Sequence, residues 1–339
     1  MPVNMVPYSV AAGTRRFDLR PSTRLPGHAI PLLSGGWIAA GIAAAIIIDT
    51  ILLASARLRI DISWASIGFA TWTVVAAAFC YALRAPATRA QRVARDLAEG
   101  ISLFAMVSLL GAIASYPLAT GAHGFVDSTL ERIDLALHFH WTSLYEAVAV
   151  HAWIQPIERL AYLSIFVTPV VLLGYFAWAE RRAESRLFLA TFWIAALITL
   201  AIFPFLPAAG PLATLWHGPT PYMPLSALYQ DEVILALRQG RIHDVDLGSL
   251  RGLVCAPSFH AASAVLYIAT AWRIAPLRWP ITALNIAMLL ATPVEGTHYL
   301  ADLLCGMVVA LAAIGLTPML IRWTMRGKAS APAPYVAAE

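Results

Sequence analysis

Charge is scarce in this sequence: only 12% of its 339 residues are charged, against roughly a quarter in soluble domains. That scarcity argues against a water-soluble globular enzyme, and the 60% hydrophobic content excludes a disordered chain. Cysteine is scarce too. Cys80, Cys255 and Cys305 show no Cys-x-x-Cys spacing, and an odd count gives no disulfide framework. Lysine is nearly absent, with Lys328 the single example, and neither internal repeats nor low-complexity segments occur. The polar start of the chain holds Arg15, Arg16, Arg20 and Arg24 but lacks the short apolar core and small-residue cleavage site of a secretory signal. The first apolar run, Ala29 to Ala56, therefore reads as a retained span. A net charge of +4 and a pI of 9.1 do not point to nucleic acid. The basic residues are scattered between apolar segments, as loop charges of a membrane protein are.

What is abundant is apolar length. Runs near the roughly 20 residues that cross a bilayer recur along the chain. They predict an all-α, polytopic membrane bundle of about eight helices: Ser34–Ala56, Ile62–Leu83, Gly100–Thr120, Ile157–Ala179, Leu187–Leu206, Phe259–Trp272, Trp279–Pro293 and His298–Ile321. With the N-terminus inside, 16 of the 23 basic residues fall on the inner side and 7 on the outer. This bias places both termini in the cytoplasm. The expected organisation is a cytoplasmic tail (1–30), three N-terminal spans (31–120), a catalytic membrane domain (121–321) and a second cytoplasmic tail (322–339).

Two outer segments exceed what a connection needs. In Gly121–Pro156, Leu130, Ile133, Leu137, Trp141, Leu144, Tyr145 and Val148 recur at helical spacing, interleaved with Asp127, Glu131, Asp134, His138 and Glu146. This predicts an amphipathic helix at the outer interface. Pro207–Cys255 starts with Pro-Ala-Ala-Gly-Pro, which stops the fifth helix, and carries Arg238, Arg241, His243, Asp244, Asp246 and Arg251.

Two histidines have unusual surroundings. His260 lies in Ala-Pro-Ser-Phe-His-Ala-Ala at the start of the sixth helix, where Ser258 is a natural N-cap. The free N–H groups of such a turn suit a phosphate. His298 lies in Gly-Thr-His-Tyr-Leu-Ala-Asp, four residues before Asp302, so the pair shares a helix face. One helix in and one helix back separate the motifs, which brings both histidines to the same outer face. Ionisable groups at membrane depth are costly and point to function; a structural ion pair and a capping histidine are the plainer alternative.

Pro-Ser-Phe-His (Pro257 to His260), followed by His-Tyr-x-x-Asp-x-x-x-Gly (His298 to Gly306), resembles the type 2 phosphatidic acid phosphatase superfamily. More closely it resembles the branch of aureobasidin-resistance-type inositolphosphotransferases, the inositol phosphorylceramide synthases. The resemblance covers roughly Asp127 to Leu316. It implies that His298 is the nucleophile, that Asp302 orients it and that His260 serves the leaving group. The superfamily's phosphatases usually carry Lys-x6-Arg-Pro and a Ser-Arg pair before the second histidine; Ala291 and Thr292 stand at the Ser-Arg positions, and the lysine motif is missing. Arg238, Arg241 and Arg251 lie on the side where they could replace that clamp, with Ser258 and helix N-termini as further phosphate ligands.

The expected activity is movement of a phospho-headgroup from a phosphodiester lipid to a lipid hydroxyl through a phosphohistidine, at the outer face of an inner membrane. Lipid phosphate or polyprenyl pyrophosphate hydrolysis is the alternative within the superfamily, and a non-catalytic lipid transporter or binder the alternative outside it. The expected partners are membrane lipids, without nucleic acid, and the scheme requires no cofactor. No metal site is expected, since His138 with His140, and His243 with Asp244 and Asp246, give incomplete ligand sets. Asp49, inside the first span, and Glu295, three residues before His298, stay open between a functional and a structural role.

Overall fold

The computed structural model describes residues 33–226 and 230–329. The expected N-terminal tail, residues 330–339 and the side chains of Arg326 and Lys328 lie outside the described part. Twelve α-helices occur among the described residues: α1 (Gly35–Ser55), α2 (Trp64–Ala82), α3 (Arg89–Gly121), α4 (Asp127–Ala136), α5 (Trp141–Val150), α6 (Ile154–Trp178), α7 (Arg182–Ile202), α8 (Pro211–Leu215), α9 (Gln230–Arg238), α10 (Phe259–Ala271), α11 (Arg278–Glu295) and α12 (Leu300–Ala329). Strand is confined, among them, to a two-residue parallel ladder pairing Arg59 with Asp244 and Ile60 with Val245.

Several helices begin where the sequence offers an oxygen to an unpaired N–H. Ser34, Ser63 and Ser258 cap α1, α2 and α10, and Thr88 forms a capping box with Gln91 at α3. Six helices are long and apolar enough to cross a membrane: α1, α2, α3, α6, α7 with its 3-10 extension, and α12. The outer pair shows what they require. No residue of α2 is buried, and Ile47, Ile48, Ile51, Trp72 and Val74 project from α1 and α2 into the surroundings; such faces need lipid, not water, around them. The other two predicted spans correspond to α10 and α11, and α10 has only 13 residues. At 1.5 Å per residue it is about 20 Å long, short of the roughly 30 Å hydrocarbon layer.

α10 is the centre of the bundle. Its buried Ala261, Ala262, Ala264 and Ala271 let α6, α7, α11 and α12 approach closely, and its Tyr267 joins Phe176, Phe188, Phe192 and Met288 in the main core. At the far ends of α3 and α7, Glu99 pairs with Arg182 and Arg186, and Glu180 with Arg89 and Arg92. This gathers six of the expected inner arginines (Arg89, Arg92, Arg95, Arg181, Arg182 and Arg186) at the end opposite both histidine motifs.

The single amphipathic helix expected over Gly121–Pro156 is corrected to two. The chain turns at His138, in the left-handed region at φ 58°, between α4 and α5. Part of the apolar face packs on protein, with Trp141, Tyr145 and Val148 against Leu212, Tyr222 and Val294, while Ile133 and Leu137 stay exposed. Helical apolar spacing is shared by a face buried on protein and one left exposed, and the sequence does not tell them apart.

Candidate active site

His298 lies in the tight connection between α11 and α12, and His260 in the first turn of α10. Their rings are 6.3 Å apart, and both line a cavity of about 560 Å³ between α3, α6, α7 and α10. His298 is buried, with Nδ1 3.2 Å from Asp302 Oδ1. That approach directs Nδ1 at Asp302 and leaves Nε2 as the ring's other nitrogen. The His260 ring stacks on Tyr162, 4.1 Å between centroids, and the Tyr162 hydroxyl lies 3.0 Å from Ser226 Oγ.

The backbone around His298 is held from several directions. Asp127 Oδ2 and Oδ1 accept from the N–H groups of Ala209 and Gly210 at 3.0 and 2.9 Å, and the Tyr299 hydroxyl donates to Oδ1 at 3.1 Å. Asp134 accepts from the N–H groups of Leu300 and Ala301 at 2.9 and 2.8 Å, so α4 supplies the cap of α12. Burial pushes the Asp134 carboxyl above its usual range, against the pull of those two N–H groups. The N-terminus of α12 is therefore already occupied by a carboxylate. Gly210 has φ 95°, and a Cβ there would meet the Thr297 carbonyl at 2.7 Å, so the Pro-Ala-Ala-Gly-Pro exit needs glycine at that point.

Ser258 acts as the N-cap of α10, accepting from Ala261 N at 3.4 Å; it is fully buried, and its own N–H donates to the Asp302 carbonyl at 3.0 Å. The three arginines separate clearly. Arg251 lines the cavity with both histidines. Arg238 instead donates to the Gly124 carbonyl at 3.0 Å and lies over the Phe125 ring, and Arg241 bonds Gln239 at 2.7 Å. Glu295 is buried at the end of α11, where it accepts from the Tyr222 hydroxyl and from Leu225 N at 3.0 Å. It clasps the 222–226 segment over the site, and Arg159 backs it by donating to the Tyr222 oxygen at 2.8 Å. Burial and this carboxylate push the Tyr222 hydroxyl far upward. Asp49 is buried in α1, far along the chain from these groups, and its Oδ2 has no hydrogen-bond partner among the described residues.

Four contributors escaped sequence reasoning. Asp127 and Asp134, two helical turns apart on one face of α4, carried a legible i, i+7 signal. Tyr162 and Cys255 carried none. Cys255 Sγ donates to Asp302 Oδ2 at 3.4 Å and lies 3.8 Å from His298 Nδ1; burial pushes its thiol well upward. Cys255, His298 and Asp302 place their ligand atoms within 4.8 Å of one another, a set that could hold a metal ion. His138, His140, His243, Asp244 and Asp246 form no such group among the described residues.

A family model described as the PAP2 superfamily matches residues 128–316. No curated protein and no solved structure matches the chain.

Proposed function

The chain belongs to the PAP2 superfamily, a phosphatase- or phosphotransferase-type lipid enzyme, and from that premise we propose that it moves a phospho-headgroup from a phosphodiester lipid to a lipid hydroxyl. Nε2 of His298 attacks phosphorus, forming an N–P bond while the bond to the departing lipid oxygen breaks; His260 gives that oxygen its proton. Asp302 holds the His298 tautomer and balances the imidazolium charge. In the second half-reaction an acceptor hydroxyl yields its proton to His260, its oxygen bonds phosphorus, and the N–P bond breaks. Both rings line the same cavity, 6.3 Å apart between centroids, which supports their acting on one bound phosphoryl group.

The observation that carries the choice of a diester is the cation count. Arg251 is the one arginine or lysine among the described residues lining the cavity. A diester presents one negative charge and a monoester close to two, and a poorly matched charge in a weakly solvated site costs several kcal/mol. Arg251 itself favours the second reading, hydrolysis of a lipid monophosphate, because it restores part of the phosphatase clamp. Two parallel reactions decide. Phosphatidylinositol with ceramide or diacylglycerol is expected to give an acceptor-dependent phospholipid product; fast release of inorganic phosphate from phosphatidic acid, with no transfer product, would reverse the assignment. Full turnover in a chelator is expected as well, and loss restored by zinc would put a metal on Cys255, His298 and Asp302.

We place the site on the outer face of an inner (plasma) membrane, with both termini cytoplasmic. The arginines gathered at the opposite ends of α3 and α7 support this orientation. A reporter fused after Trp272 is expected to read as cytoplasmic and one within residues 231–240 as external. The reverse pattern would move the substrate to the other leaflet.

A further inference from the structure

His298 lines the cavity, whereas Cys255 and Asp302, both fully buried, do not. The ring thus stands between the cavity and a closed space into which Nδ1 points. Cys255 Sγ lies 3.8 Å from Nδ1, 3.4 Å from Asp302 Oδ2 and 3.9 Å from the Thr297 carbonyl oxygen. Asp302 Oδ1 lies 3.2 Å from Nδ1. A thiol, an imidazole, a carboxylate and a carbonyl therefore converge from the segment before α10 and from the start of α12.

The spacing is that of a coordination shell. Zinc bonds of about 2.3 Å to sulfur and about 2.0–2.2 Å to nitrogen or oxygen put tetrahedral ligands about 3.4–3.6 Å apart. None of the four separations leaves that range by more than about 0.3 Å. Asp302 Oδ1, although close to Nδ1, has no well-formed hydrogen bond among the described residues. Catalytic contacts are often poorly aligned before substrate binds, but this one leaves a fully buried carboxylate oxygen short of a partner, which is costly. Thr297 is held at φ 51°, where a β-branched residue is an outlier, and its carbonyl reaches the thiol from there. The charges also balance. A divalent ion with one thiolate and one carboxylate sums to zero, whereas the carboxylate alone leaves a net charge in a space closed to water. A mixed sulfur, nitrogen and oxygen set favours zinc, cadmium or cobalt over magnesium and calcium, which take oxygen ligands.

We propose that Cys255, His298, Asp302 and the Thr297 carbonyl form a closed site for a thiophilic divalent cation, and that the bound ion switches the enzyme off. On binding, the Cys255 thiol loses its proton to solvent and a metal–sulfur bond forms. The Nδ1 lone pair bonds the metal, so the single proton of the neutral ring moves from Nδ1 to Nε2. Nε2 then has no lone pair to offer phosphorus. The site rests on the geometry alone; its inhibitory effect rests on the proposed reaction, in which Nε2 is the nucleophile.

The test uses the full chain in lipid nanodiscs, with cobalt, zinc or magnesium chloride as the probe. A Cys80→Ser/Cys305→Ser background leaves Cys255 as the sole thiol. There cobalt should give a thiolate-to-metal charge-transfer band that saturates at one ion per chain, and adding Cys255→Ser should abolish it. Zinc should lower kcat of the sole-thiol protein without raising KM, because the ion binds behind the ring rather than in the substrate's place. The onset should be slow, since the ligand atoms are closed off, and a chelator should reverse it; magnesium should have no effect. Cys255→Ser and Cys255→Ala should each raise the zinc concentration for half-inhibition by about a hundredfold or more, the thiolate being the softest ligand of the set. No charge-transfer band, or zinc inhibition of equal potency without the thiol, would overturn the site. A band at full occupancy with undiminished turnover would overturn the switch. The band with no phosphorus transferred or released from any lipid, metal-loaded or metal-free, would uphold the site and sink the proposed reaction instead.

Discussion

His298→Ala is expected to lower kcat by about a thousandfold or more, because in the proposed reaction this residue forms the covalent bond and members of a catalytic unit fail together. The protein should still fold. His298 sits in a connection whose backbone is held by Asp127, Asp134 and Tyr299, contacts that do not involve its ring. His260→Ala and Asp302→Asn should each approach the same loss, and the double variant His260→Ala/His298→Ala should be scarcely worse than either alone. The loss has a chemical signature. Rapid quenching of wild-type protein with a lipid labelled at phosphorus should trap an acid-labile, base-stable phosphoprotein that His298→Ala does not form. Near-normal turnover in a cooperatively melting His298→Ala protein would remove the nucleophile from the scheme. Label found on another residue would do the same.

The second large effect comes from a residue with no chemistry of its own. Gly306 of α12 faces the first turn of α10. A Cβ there would overlap the Ser258 carbonyl oxygen and lie 3.0 Å from its carbon and 3.2 Å from Ala261 Cβ. The obstruction is backbone, so it cannot swing aside as a side chain would. Gly306→Ala should therefore push α12 away from α10 and strain the Ser258 N–H bond to the Asp302 carbonyl, 3.0 Å in length. The expected cost is about 1–3 kcal/mol of stability from overpacking. A shift of about 1 Å between His260 and His298 can also cost on the order of a hundredfold in kcat. Gly315→Ala, on the same helix with nothing within 4 Å of the added carbon, is the control and should be neutral or slightly stabilising. Thermal unfolding and kcat of the two variants check this, and equal behaviour would show that the α10–α12 approach is not tight.

Hydropathy alone determined that this chain is a helical membrane bundle, because a span needs only a long apolar run and that property is local. The pairing of His298 with Asp302 was equally legible, since four residues on a helix bring two side chains to one face. So was Ser258 as a cap, for the same local reason. The meeting of His260 with His298 could be argued from one helix in and one back, but its distance could not. Tertiary structure alone selected Arg251 from three arginines, because which loop folds over the cavity depends on contacts such as Arg251 N to the Tyr116 hydroxyl, 135 residues away in sequence. It also turned Asp127 and Asp134 inward, to caps 83 and 166 residues distant. An amphipathic pattern states that a face is buried but not against what. For Trp141, Tyr145 and Val148 the answer was protein, and Asp134 on the polar edge of α4 found the backbone N–H groups that open α12, partners no local pattern specifies.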